Sequence, residues 1–184
     1  MADPKRLNRG NTGLLIIDMQ ERLLPVMENK EELISNTIKL IEGFKILEGD
    51  IFYTEQYPKG LGYTDTSIKN ALGERKSYEK TSFSCAGAGN LLADFASNKL
   101  ENIVICGIES HICVQQTYLD LKKNGFDVFL VTDAISSRKK IDYETSLKRA
   151  QANQIELITT ESVLFELLKE SGTEAFKAIS KLIK

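Results

Sequence analysis

The sequence predicts an α/β fold of three layers, with helices on both sides of a six-stranded, mostly parallel sheet. Three observations carry that prediction. Short apolar runs alternate with longer amphipathic segments from end to end, the pattern of repeated strand–helix–strand units. The short runs are rich in Ile, Val, Leu and Phe, as strands buried on both faces are. No internal repeat, low-complexity tract or linker interrupts the 184 residues, so residues 1–184 read as one domain around one substantial core. Right-handed crossovers between such units give parallel pairs. The doubly wound order 3-2-1-4-5-6 then sets strands 1 and 4 side by side at the switch point, where ligands bind outside the carboxyl ends of the strands.

The elements follow in order. GLLIID is the first strand, DIFYTE the second, and the short SYEK before TSFS the third; NIVICG, FDVFLVTD and IELITT complete the six. Between the first two strands, KEELISNTIKLIEGFKIL gathers Ile34, Ile38, Leu40 and Ile41 into one stripe with charges outside it, which predicts a helix. NLLADFASN, CVQQTYLDLKKN and YETSLKRAQANQ read likewise, and Gly125 suits the left-handed residue that ends a helix. ESVLFELLKE and TEAFKAISKLIK predict two closing helices, the last packing through Phe176, Ile179 and Leu182.

Composition excludes several classes of function. The 24 basic and 26 acidic residues leave a formal net charge of −2, without the cationic footprint expected of a partner for nucleic acid or for an anionic membrane. The start, MADPKRLNRGNTG, lacks the apolar centre of a secretory signal, and no run approaches the roughly 18 apolar residues of a membrane span. The three cysteines have neither disulfide-framework nor redox-motif spacing, so a reducing, cytoplasmic setting is expected.

Chemistry concentrates where strands end. The first strand ends at Asp18, the third at Lys80, and the fourth leads through CGIESHIC to Cys113 at the mouth of a predicted helix. A carboxylate ending an apolar strand needs solvent or a partner, because lone burial raises its pKa; Lys80 is a candidate partner. The helix dipole and a nearby ammonium favour a thiolate at Cys113. Asp18 is placed to take the thiol proton and later return it, as base and then acid. Backbone N–H groups between Gly107 and Cys113 point toward the same helix mouth, where an oxyanion would bind. Taken singly, each residue also has a plain reading: Asp18 as a solvated strand end, Lys80 as a surface charge, Cys113 as a small buried apolar residue. Cys106 is assigned to packing. Cys85, in FSCAGAGN, borders the same region but is given a structural role, and its neighbouring glycines fit no nucleotide-binding fingerprint.

The motifs LLIIDMQ, EKTSFS and CGIESHICV, in the order Asp, Lys, Cys, resemble those of the isochorismatase-like cysteine hydrolases, the superfamily that includes nicotinamidases. The resemblance spans nearly the whole chain from about Thr12. TEQYPKGLG, ICVQQTYLDL and DAISSR resemble the branch called isochorismatase domain-containing proteins. The resemblance implies a triad of Asp18, Lys80 and Cys113, a cis peptide between Ile108 and Glu109, and an oxyanion hole formed by the N–H groups of Glu109 and Cys113. It also implies a homo-oligomer, dimer or higher. Metal-dependent nicotinamidases carry histidine ligands after the second strand, whereas TEQYPKGLG has none and His111 is the chain's one histidine. No metal and no other cofactor is therefore expected, and nicotinamide is not the expected substrate.

Gln56 and Tyr57 follow the second strand and Phe83 follows Lys80, so all three are expected beside a small-molecule pocket, with Leu23 and Ile108 as further lining. Arg138, in DAISSR, is expected to be structural or at a subunit contact. The expected function is metal-independent hydrolysis of a small amide or related C–N bond through a thioester on Cys113. Vinyl ether hydrolysis of the isochorismatase type is the alternative, because that reaction leans on the aspartate and lysine more than on a cysteine. A binding or scaffold protein on the same fold is the reading from another class.

Overall fold

The computed structural model describes residues 5–184. Six strands form one sheet: β1 (Thr12–Ile17), β2 (Asp50–Gln56), β3 (Tyr78–Lys80), β4 (Asn102–Ile108), β5 (Asp127–Ser136) and β6 (Glu156–Ile158). Their order is β3-β2-β1-β4-β5-β6, and every pairing is parallel. All residues of β1 and β4 are buried, as their uninterrupted apolar sequences require.

Period-two alternation divides the core into two layers. Leu14, Ile16, Val104, Cys106 and Ile108 face one side, where α1 (Lys30–Ile46), α7 (Thr160–Leu168) and α8 (Glu174–Leu182) pack. Leu40 and Ile41 of α1 are fully buried there, while Ile34 and Ile38 lie at the margin. In α8, Ile179 is fully buried, with Phe176 and Leu182 packed beside it. Leu15, Ile17, Ile103 and Ile105 face the other side, against α4 (Leu91–Ser97), α5 (Cys113–Lys123) and α6 (Lys140–Ala152). Gly125 has the expected positive φ, 89°, just past α5.

One glycine positions the site. Gly107 pairs with Ile17 across β1 and β4 and has φ +114°. A Cβ there would stand 2.1 Å from the Ile17 carbonyl oxygen, so only glycine lets the end of β4 close onto the end of β1.

The structure adds two helices that hydrophobic periodicity does not reveal, α2 (Pro58–Leu61) and α3 (Thr66–Leu72). Both are short, and α3 owes its start to Asp65, whose side chain accepts from the Ser67 and Ile68 N–H groups. The sixth strand is shorter than IELITT suggests, because Thr160 N–H turns to Asp133 Oδ1 at 2.8 Å and Thr159 caps α7. Similarly β5 runs on to Ser136, and α6 starts at Lys140, ahead of Tyr143. Among the described residues, no helix is long and apolar enough to cross a membrane.

Candidate active site

Asp18 follows β1 directly, in a left-handed conformation with φ 51°. Buried Gln20, two residues on, locks the turn. Its amide donates to the carbonyls of Gln56 (3.0 Å) and Gly62 (2.6 Å) and accepts from Gln56 N–H (2.7 Å). On the same edge, Glu55 Oε1 accepts from both N–H and hydroxyl of Thr64, each at 2.7 Å. These bonds fasten the segment after β2 over the end of β1.

Lys80 ends β3, with β2 lying between it and β1. Two strand spacings amount to about 10 Å, a gap that calls for a long side chain. Its Nζ donates to Asp18 Oδ2 (2.6 Å), Gln56 Oε1 (2.7 Å) and the Phe83 carbonyl (3.2 Å). Thr54 Oγ1 donates to Asp18 Oδ1 at 2.7 Å. The Lys80 and Asp18 side chains are 0% and 1% exposed, so this is a buried ion pair with its remaining polar atoms also occupied, the condition under which burying two charges is tolerated. Burial alone would push the Lys80 ammonium down; the charge of Asp18, aided by the nearby thiols, outweighs it and holds the group above the usual lysine value.

Cys113 is the first residue of α5 and is 7% exposed. Its thiol lies close enough to Asp18 to feel the carboxylate's charge. Burial first, and then the Asp18 carboxylate, hold that thiol well above the ordinary cysteine range, with Lys80 pulling the other way. The dipole and ammonium invoked from sequence are thus outweighed. The resting group is a thiol near a carboxylate able to accept its proton.

The segment linking β4 to α5 is built for close turning. The Ile108–Glu109 peptide is cis. Ser110 N–H donates to the Ser136 carbonyl at 2.8 Å, and the Glu109 carbonyl accepts from the N–H groups of Ile112 (3.0 Å) and Val114 (3.2 Å). The Glu109 carboxylate is gripped by Arg138 through Nε (3.0 Å) and backbone N–H (3.2 Å), which gives that arginine its place. Ser137 Oγ bonds both Ser110 Oγ and His111 Nδ1, and His111 Nε2 lies 3.8 Å from Asp142 Oδ2. The histidine therefore braces the segment against β5 and α6. The N–H groups of Glu109 and Cys113 donate to no backbone carbonyl among the described residues.

The five residues expected to line a pocket are placed differently from one another. Gln56 holds Lys80 and, through Nε2, the Thr81 carbonyl (2.9 Å). Tyr57 is 55% exposed and lines a groove of about 360 Å³ with Pro58, Lys59, Lys80 and Thr81. Phe83 is 54% exposed at the same edge. Leu23 packs on the margin of the core, and the Ile108 side chain is wholly inside it. Sequence reasoning missed Thr54 and Gln20. Thr54 lies near the end of β2 and Gln20 just past β1, and their sequence surroundings carry no signal of the partners they meet. Among the described residues, no group of three or more His, Cys, Asp or Glu side chains is placed to hold a metal ion.

Comparison with known proteins identifies the family. The family model for the Isochorismatase domain matches residues 12–162. Isochorismatase domain-containing protein 2 of Danio rerio is 36% identical over 183 residues, covering 100% of this chain and 92% of that protein. Among solved structures, one described as the MAR1 ribonuclease of Caenorhabditis elegans superposes with TM-score 0.91 at 34% identity, over 97% of this chain and 92% of that one. The YcaC protein of Escherichia coli, described as an octameric hydrolase of unknown specificity, shares the fold with TM-score 0.90 at 19% identity, over 98% and 92% of the two chains. The chain belongs to the isochorismatase-like hydrolase family.

Proposed function

We propose that the protein is a metal-independent cysteine hydrolase that cleaves a small amide, or a related C–N bond, through a thioester on Cys113. The observation that carries this reading is the convergence of the Lys80 ammonium and the Cys113 thiol on one buried carboxylate, Asp18. In the first step Asp18 takes the thiol proton while sulfur attacks the carbonyl carbon. Negative charge passes from Asp18 to Cys113, and Lys80 compensates it in both places. The carbonyl oxygen, now an oxyanion, meets the N–H groups of Glu109 and Cys113. Asp18 then gives its proton to the departing nitrogen as the C–N bond breaks, leaving a thioester and an ionised carboxylate. Water attacks the thioester with Asp18 again as base. The acid product leaves, and the proton returns to sulfur.

A small substrate suits a reacting pair that is almost wholly buried, Asp18 at 0% and Cys113 at 7% exposure. The name of the nematode relative raises RNA cleavage as an alternative, which a net charge of −2 does not favour. The chain is read as a homo-oligomer, as the YcaC protein of Escherichia coli is described as octameric. Three free cysteines fit a reducing, cytoplasmic compartment.

A panel of small amides, ureides and carbamates assayed for ammonia release tests the proposal. At least one should turn over, survive dialysis against a strong chelator, and stop with Cys113→Ser. A vinyl ether hydrolysed equally well by that variant would favour ether chemistry instead. RNA cleavage that depends on Cys113 would replace the small-amide reading.

A further inference from the structure

Cys85 is fully buried and has no part in the chemistry above, yet it lies among the groups that do. Its Sγ is 3.6 Å from Thr54 Oγ1, and its backbone N–H donates to Thr117 Oγ1 at 2.9 Å. Each of these threonines touches the site. Thr54 Oγ1 lies 2.7 Å from Asp18 Oδ1, and Thr117 Oγ1 lies 2.6 Å from the Cys113 carbonyl oxygen.

Counting protons fixes the direction of these bonds. A hydroxyl owns one proton, whereas an ionised carboxylate and a carbonyl can only accept. Thr54 therefore spends its proton on Asp18, and Thr117 spends its own on Cys113. Neither has one left for sulfur, and Thr117 Oγ1 already accepts the Cys85 backbone N–H at 2.9 Å. Thr54 Oγ1, its own proton committed to Asp18, can only accept from Cys85, so the hydrogen bond across their 3.6 Å runs from S–H to Oγ1. The thiol proton is present at neutral pH, because burial and then the Asp18 charge, opposed by Lys80, push the Cys85 thiol up to about 12. A thiolate there would reverse the chain and draw the Thr54 proton away from Asp18.

We infer that Cys85 is a positioning residue: the directed chain from its S–H through the Thr54 hydroxyl to Asp18 Oδ1 orients the carboxylate that receives the Cys113 proton. With Lys80 holding Oδ2, the carboxylate is clamped at both oxygens. This rests on the proposed roles of Cys113 and Asp18. Packing alone would ask only for a side chain of similar volume at position 85; positioning asks for a donor.

Two readouts test it. The infrared difference between wild type and Cys85→Ser isolates the Cys85 S–H stretching band. Thr54→Val should move that band toward the frequency of a free thiol, and Thr54→Ser should leave it in place. The second readout is Cys113 alkylation by iodoacetamide at about pH 8. Losing the Thr54 donor leaves the Asp18 charge less compensated, which holds the Cys113 thiol up more firmly. Thr54→Val should slow alkylation by about tenfold and Cys85→Ala by about threefold, with Cys85→Ser and Thr54→Ser within about twofold of wild type. A missing Cys85 band, a band that Thr54→Val leaves unmoved, or wild-type alkylation in both Thr54→Val and Cys85→Ala would overturn the inference. If Cys113 alkylates no faster than Cys106 in every variant, the proposed nucleophile fails, and the band alone decides the inference.

Discussion

Cys106 and Cys113 lie seven positions apart, and burial is the largest force holding each thiol protonated, Cys106 at about 12 and Cys113 higher still. Their surroundings differ. Cys106 sits in the middle of the sheet among apolar side chains, where the Thr37 hydroxyl lowers its thiol and the Asp133 charge adds a smaller push upward; that hydroxyl already donates to the Leu33 carbonyl at 2.8 Å. Cys113 stands where β4 has given way to α5, beside a carboxylate that can take its proton and an ammonium that can offset the charge left behind. A raised thiol is common to both, so titration alone does not mark a nucleophile. What sets the proposed nucleophile Cys113 apart from Cys106 is a nearby proton acceptor together with a counter-charge, supplied by two other strand ends.

The comparison breaks first on direct replacement. Cys113→Ser should lower turnover of an amide by about 10⁴-fold or more, since a nucleophile and its base act as a unit. Cys106→Ala should leave turnover within about twofold and instead cost about 1–2 kcal/mol of stability, read from urea unfolding, for the sulfur lost from the core. Comparable losses of turnover from both would erase the distinction.

Next come the residues that only Cys113 has as neighbours. Asp18→Asn and Lys80→Met should each cost turnover on the order of 10²-fold or more, and the double variant much less than the product of the two. Lys80→Met also leaves a buried carboxylate unpaired, so it should lose about 3–5 kcal/mol of stability, and assays belong at temperatures where circular dichroism shows it folded. Multiplicative losses would mean that the two residues act independently.

The smallest effect is the most specific. Because the Asp18 carboxylate helps to hold the Cys113 thiol up, Asp18→Asn should move the pH midpoint of Cys113 alkylation downward, while turnover falls. In the wild type, alkylation should still be climbing past about pH 10.5, where an ordinary thiol near 8.5 has levelled off. Cys106, whose thiol is not coupled to Asp18, should keep its profile. An unmoved Cys113 midpoint would separate the carboxylate from the thiol.

Much of this was legible in the sequence because buried parallel strands announce themselves as unbroken apolar runs and their order follows from connection rules. Asp18 and Cys113 could be grouped since each ends or follows such a run, whereas Lys80 ends the largely polar SYEK and joined them through the order of the motifs. Thr54 and Gln20 were not legible, because a hydroxyl or amide at a strand end says nothing of what it meets, and their partners Asp18, Gln56 and Gly62 lie 36 or more positions away. The short helices α2 and α3 escaped for another reason: at 4 and 7 residues they are too brief for a 3.6-residue period to register. The raised Cys113 thiol escaped as well, since sequence shows the helix mouth and the lysine but not how completely the site is buried.

Covalent chemistry at Cys113 is the claim on which the rest depends, and intact-protein mass spectrometry of a reaction quenched in acid during amide turnover tests it most directly. The account predicts one acyl group per chain, mapped by peptide digestion to Cys113, absent from Cys113→Ser and discharged by neutral hydroxylamine as a thioester should be. Steady turnover with no adduct, undiminished in Cys113→Ser, would contradict it.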